Sequence, residues 1–387
     1  MKRVYLDAAT AMPVRAEVLK EMLPYFTEHF GNPASIHELG REPRIAMDKA
    51  RGEVAGLIGA GPEEIVFTSG ATESINLALR GPLPFVHKDR KAVVISAVDH
   101  RSVTSTADSI ASAGYRIRKL SVDALGRISV DEARKMIDER TAVLSIPFAS
   151  GEVGTVQPLK ELVKIAHDKG VLVHVDLTMS AFQVPFDAKG SGVDLATLSS
   201  PDLMGPKGVG AEYVRKGLKV APLVQGGGHE RGLRSGSENI PGIVGMGAAA
   251  RLAKERMKEE ASNMTRLRNS LIKGLLEVEE SYLNGDPVNR LPNNANIRFN
   301  YIEGESMLLL LDMNGISVST GSACAQRSLE ASKTLLAMGL KHEEAHGSLQ
   351  FTLWPFNDKE DIEHVIEVMP GIVSELRAMS PIYKQQV

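Results

Sequence analysis

Short apolar runs rich in β-branched residues recur along the N-terminal half: Val4–Leu6, Glu64–Phe67, Ala92–Ser96, Tyr115–Leu120, Ala142–Ile146 and Val171–Val175. Each is too short for a helix, and together they predict buried strands. Between them the apolar spacing changes to that of a helix. Val14–Phe30 carries Val18, Leu19, Met22, Leu23 and Phe26, and a later stretch carries Ala46, Ala50, Val54 and Leu57. GNPASIHELG, between these two helices, reads as loop from its Gly, Asn, Pro and Ser content. Strands alternating with helices predict an α/β fold with a mostly parallel sheet covered on both faces. The pattern changes after Gly242, where one long helix runs to about Leu276 with few breakers. Strands Ala295–Phe299, Ile316–Ser319 and Ser348–Leu353 follow, with helices over Glu305–Met313 and from Lys359, as in a smaller α+β domain.

Composition narrows the class of protein. The 387 residues, 43% hydrophobic and 24% charged, allow a large core and two domains in a soluble globular chain. A net charge of -3 supplies no basic field for nucleic acid or an anionic membrane. MKRVYLDAAT lacks a signal peptide's apolar run, and no segment approaches a spanning helix. A single cysteine cannot form an intramolecular disulfide and fits a reducing interior, so the expected location is cytoplasmic.

Chemistry gathers at the strand ends. TSGATESINLAL passes from strand through glycine into helix, leaving N–H groups free at a helix start to cradle a phosphate or simply to turn the chain. His100, Glu152 and Asp176 each follow a predicted strand, where ligands of open α/β sheets bind. GGGHERGLRSGSEN, with Arg231 and Arg234, is a loop able to hold an anion, cross a subunit interface or lie in solvent. Cys324 sits among small residues in STGSACAQRSLEAS with Arg327 nearby, a setting for a functional thiol rather than a packing residue.

In order along the chain, YLDAAT, GNPASIHELG, FTSGATES, VDH, HVD, GPKGVGAEYV, GGGHERGLRSGSEN, STGSAC and LEASKTLLAMG resemble the cysteine desulfurases of the NifS/IscS type, within the class V aminotransferases. The resemblance implies a fold-type I pyridoxal phosphate (PLP)-dependent transferase architecture, with a large domain built on a mostly parallel seven-stranded sheet. Residues 14–255 would form that domain, and 1–13 with 256–387 a small α+β domain carrying the cysteine. It also implies a homodimer. Ala71, Thr72 and Ser199 match phosphate binders, and Ser237 matches a threonine that acts across the dimer. His100 matches the histidine that stacks on the pyridine ring, and Asp176 the carboxylate on its nitrogen. Cys324 matches the cysteine that receives sulfur as a persulfide.

Several positions depart from that pattern. Pro201–Asp202 replaces the histidine–lysine pair before GPKG, and Lys207, inside GPKG, does not restore the amine. Met179 replaces a glutamine, Ser150 and Gly151 paired asparagines, Gln350 the arginine expected to grip the substrate carboxylate, and Trp354–Pro355 a Gly–Arg. A carboxylate forms no imine and does not shuttle the Cα proton as an amine does. An amide in place of a guanidinium loses a charge-assisted hydrogen bond, roughly 1.5–3 kcal/mol.

The expectation is therefore an IscS-like protein of iron–sulfur cluster assembly without covalent PLP and without desulfurase turnover. In it Cys324 is a cluster ligand or sulfur acceptor, and the iron–sulfur cluster is shared with a scaffold partner of the IscU type. One alternative is an active desulfurase holding PLP noncovalently. Others are a metal-dependent activity through Asp202, Asp176 and His100, or a structural or regulatory pseudoenzyme.

Overall fold

The computed structural model describes residues 3–321, 331–381 and 383. Among these residues twelve strands form three sheets: β1 Val4–Tyr5, β2 Ile65–Thr68, β3 Ala92–Ser96, β4 Arg116–Leu120, β5 Thr141–Pro147, β6 Leu172–Asp176, β7 Leu195–Ser199, β8 Gly210–Val214, β9 Ser281–Asn284, β10 Asn294–Phe299, β11 Ile316–Ser317 and β12 Ser348–Thr352. The main sheet has seven strands in the order β2-β8-β7-β6-β5-β3-β4. Only β8 runs against its neighbours β2 and β7; the other pairs are parallel. β3, β5, β6 and β7 are buried at every or nearly every residue, which is why their sequences are largely apolar without regular alternation; β8 is buried as well, with Glu212 enclosed in it. A three-stranded antiparallel sheet, β12-β10-β9, and a parallel pair, β1-β11, complete the set.

The long predicted helix is Ile240–Leu275. It packs on the helix Glu38–Leu57 and on Ala16–Met22, and also touches the C-terminal helix Lys359–Met379 and β10. One apolar cluster consequently runs from Val4 through the main sheet to Val373. A second, under the helices Ala71–Arg80 and Arg101–Ser112, covers the opposite sheet face.

Two local expectations are corrected. The helix expected over Val14–Phe30 is two pieces, Ala16–Met22 and Pro24–Thr27, because Pro24 has no N–H to continue the ladder and opens the second piece instead. Val18 and Met22 are buried, but Leu19, Leu23 and Phe26 are about half exposed, so that side of the pattern does not mark core in one chain. The end of GNPASIHELG, read as loop, is helical from Glu38 onward.

Candidate active site

Because β2, β3, β5, β6 and β7 point the same way, their carboxyl ends meet at one edge of the main sheet. This edge brings Ala71, Thr72, His100, Asp176, Ser199 and Asp202 together from distant parts of the sequence. After β2 the chain turns at Gly70 (φ 149°) into the helix Ala71–Arg80, whose first N–H groups, including those of Ala71 and Thr72, lack intrahelical partners. A Cβ added to Gly210 on β8 would come within 2.7 Å of the Gly70 backbone, so the turn is pressed against the sheet and side chains are excluded there. Those N–H groups at the positive end of a helix dipole suit a phosphate. His100 caps the helix Arg101–Ser112, its Nδ1 accepting from the Ser102 backbone and facing the Ser102 hydroxyl at 2.7 Å; its side chain is exposed. Ser237 is exposed in the loop before the long helix.

Asp176 ends β6 and is only 8% exposed. Its Oδ1 accepts from the Thr178 N–H and hydroxyl, and among the described residues Oδ2 has no hydrogen-bond partner, leaving it able to receive a ring N–H. Asp202 lies in the short 3-10 turn Pro201–Leu203 just beyond β7. Burial pushes its carboxyl up to about 7; a Ser199 hydrogen bond opposes that shift, and the Asp176 charge adds to it.

Two further carboxyl groups, missed from the sequence, face the same charge. Asp99 accepts from the Ser96 N–H at 2.6 Å while its Oδ1 has no partner, and burial and then Asp176 hold it well above the carboxylate range. Glu212 on β8 is fully buried, and burial raises its carboxyl strongly, with a smaller contribution from Asp176. Glu212 ends a hydrogen-bonded row across four strands: Ser145 to His174 Nδ1 at 2.8 Å, His174 Nε2 to Thr197 at 3.0 Å, and Thr197 to Glu212 at 2.7 Å. The Thr197 hydroxyl donates to Glu212, and the two nitrogens of the neutral His174 ring take opposite roles, one donor and one acceptor, toward Thr197 and Ser145. Burial depresses the His174 pKa to about 3, so the ring adds no positive charge. The signal for this row was a glutamate inside the otherwise apolar GAEYV.

Among the described residues no lysine or arginine forms an ion pair with Asp176 or Asp202, and Lys207 is exposed. Among the described residues no group of three or more His, Cys, Asp or Glu is placed to hold a metal ion, and Asp202, Asp176 and His100 do not form one. The GGGHERGLRSGSEN arginines find partners within the chain. Arg231 donates to the Ile65 carbonyl and Arg234 to Glu73, while Glu230 takes a bidentate grip from Arg51.

Gln350 is 4% exposed and donates to the Gly151 carbonyl at 2.6 Å; Asn294 and Asn296 add amide donors to the same turn. Glu152, in that turn, is pushed up to about 7 by burial, against hydrogen bonds from Ser332 and Thr334. Its Cγ lies 2.9 Å from where a Cβ on Gly321 would stand. Glu152 therefore touches both flanks of the stretch containing Cys324. Cys324 and Arg327 lie outside the described residues.

A phosphate monoester with a protonated ring nitrogen fits the donor turn and the open Asp176 oxygen. Covalent attachment at Asp202 does not fit, because a carboxyl group stands there and no amine. The mostly parallel seven-stranded sheet, with helices on both faces, is the α/β architecture of NifS-like structures. The chain belongs to the class-V aminotransferase family, whose model matches residues 4–365. Within that family it groups with the NifS/IscS-type cysteine desulfurases. It is 48% identical over 381 residues to cysteine desulfurase IscS 1 of Archaeoglobus fulgidus, covering 98% of this chain and 100% of that one. It is 46% identical to cysteine desulfurase IscS of Methanosarcina thermophila, covering 98% and 94%. A solved NifS-like protein superposes with a TM-score of 0.91 at 36% identity, covering 97% of this chain and 100% of the other.

Proposed function

We propose that this chain serves iron–sulfur cluster assembly as a cysteine desulfurase-type protein that holds PLP without a covalent bond. The observation that carries the reading is the shared sheet edge, where the free N–H groups at Ala71 and Thr72 face the same region as the unpaired oxygen of Asp176. Ala71, Thr72 and Ser199 would hold the phosphate, with Ser237 reaching across a homodimer, and Asp176 would keep the ring nitrogen protonated. His100 would cover the ring. When bound, the cofactor supplies an electron sink for bond cleavage at the substrate amino acid. The Cys324 thiolate then takes the sulfur: L-cysteine and the enzyme thiol become L-alanine and the enzyme persulfide, with no outside oxidant. An IscU-type scaffold would receive that sulfur.

The relatives' names favour turnover over the expectation, drawn from the departures, that turnover is lost. One observation favours that second reading, in which Cys324 is a cluster ligand or passive sulfur acceptor: an enclosed carboxyl group, Asp202, occupies the matching position. The homodimer is supported by the exposed Leu19, Leu23, Phe26, Phe30, Leu39 and Ile45 in the N-terminal helices and their connection. The proposal includes the domain division 14–255 against 1–13 with 256–387. No described helix is long and apolar enough to cross a membrane, and a cytoplasmic location remains part of the proposal.

The test is alanine release from L-cysteine with PLP added in excess. PLP-dependent release that Cys324→Ala abolishes supports the desulfurase. No release, with cluster assembly on a scaffold still lost in Cys324→Ala, supports the second reading.

A further inference from the structure

The turn after β5, residues 150–153, is held more firmly than a simple connection requires. Gln350 on β12 donates to the Gly151 carbonyl at 2.6 Å, and Asn294 and Asn296 both reach the Glu152 carbonyl at 3.2 Å. Gln350 also exchanges backbone hydrogen bonds with Ser319 at 2.7 and 3.3 Å, tying the turn to the chain that enters the cysteine-bearing stretch. The Glu152 side chain stands against Gly321 (φ 82°). A Cβ there would lie 2.9 Å from its Cγ and 3.0 Å from its Oε1, so only glycine leaves it room. After the stretch, the Ser332 and Thr334 hydroxyls donate to the same carboxyl group. Ser332 also caps the helix Lys333–Ala337, accepting from the Leu335 N–H at 3.1 Å. Val153 packs beside them with Ala331, Leu335 and Met338. A glutamate is not what packing alone would put here, because its Oε1 is enclosed without a partner among the described residues, which destabilises the fold.

We propose that Glu152 is a positioning residue for Cys324, holding the two ends of the cysteine-bearing stretch in fixed relation by its contact with Gly321 and its hydrogen bonds from Ser332 and Thr334. The inference rests on the sulfur-accepting role given to Cys324 above and names the side chain that serves it. Cys324 is three residues beyond Gly321, so chain length alone keeps it within about 11 Å of that contact. A glutamate does here what an apolar side chain does not. Its methylenes pack on Gly321, and its oxygens accept from hydroxyls on the other side of the stretch. Fixing both ends shortens the range the thiol explores and raises the fraction of time it spends where sulfur is taken up.

Because Cys324 is the chain's only cysteine, a nitroxide label attached to it reports on this stretch alone. The electron spin resonance spectrum of the labelled full-length protein is expected to shift to sharper, faster-motion lines in Glu152→Ala and in Thr334→Val. Glu152→Gln keeps the length and one acceptor oxygen and should return the spectrum most of the way. Spectra unchanged in both Glu152→Ala and Thr334→Val overturn the proposal, as does a shift that Glu152→Gln leaves in full. Should Glu152→Ala fail to fold in a melting curve, Thr334→Val decides alone. In alanine release from L-cysteine with added PLP, Glu152→Ala should lower kcat about tenfold with KM unchanged, the range of one or two hydrogen bonds. A raised KM with kcat intact contradicts a positioning role. No release by the unaltered protein overturns the desulfurase reading, while the label spectra still decide the role of Glu152.

Discussion

Replacing Glu230 with alanine is expected to destabilise the chain by about 3–5 kcal/mol, the usual loss when one partner of a buried ion pair is removed. Both Arg51 nitrogens meet the Glu230 carboxylate at 2.7 Å, and the two side chains are 8% and 3% exposed. Glu230 also accepts from the Phe67 N–H at 2.8 Å, so it fastens the glycine-rich loop to the strand that leads into the phosphate turn. Its own backbone is left-handed, at φ 47°, a conformation that a non-glycine residue keeps only when its surroundings impose it. Without the carboxylate, Arg51 keeps only the Ile65 carbonyl and the face of Phe67. Urea unfolding of Glu230→Ala and Glu230→Gln measures the loss. A cost below about 1 kcal/mol would show that the pair does not hold the loop.

The second large effect depends on pH. Asp202 titrates near 7 in the fold, against 3.8 for an ordinary aspartate. The folded state therefore holds this proton more tightly than the unfolded chain does. Its stabilising contribution is complete below about pH 4, declines as pH rises, and is gone above 7. The whole window is worth about 4 kcal/mol at 1.36 kcal/mol per pKa unit, and the half above pH 5.5 about 2 kcal/mol. The groups facing Asp202 are Ser199, which lowers its pKa, and Asp176, which raises it; Asp99 and Glu212 face Asp176 in turn. Asp202→Asn removes this titration and leaves the others. The stability difference between variant and unaltered protein should thus shift in favour of the variant by about 2 kcal/mol between pH 5.5 and 8.5. Parallel pH profiles would contradict the assignment.

What the sequence revealed follows from where its signals are local. The main strands were readable because burial on both faces leaves β-branched runs without alternation, as in AVVIS of β3 and LVHVD of β6. Ala71, Thr72, His100, Asp176, Ser199 and Asp202 came from motifs, and the parallel strand directions explain why motifs so far apart meet at one edge. Partnerships between distant residues were not readable. GAEYV looks like an alternating strand with a solvent-facing glutamate until strand order makes β8 interior and puts Glu212 beside Thr197. Asp99 in VDH was overshadowed by its neighbour His100, although its carboxyl is the one tied to the strand end. Arg231 and Arg234 suggested an anion site because nothing local reveals that Ile65 and Glu73 take up their N–H groups. Leu19, Leu23 and Phe26 have helical spacing but remain exposed, since periodicity identifies an apolar face and not what covers it.

Every functional role proposed for this sheet edge requires that the cofactor be held without a bond to the chain. The direct measurement is intact-protein mass after incubation with PLP and borohydride, which fixes any carbon–nitrogen double bond between the two. The account predicts an unchanged mass for the unaltered protein and an increase of one reduced cofactor for Asp202→Lys. An increase in the unaltered protein, at any lysine in the pocket, would contradict it.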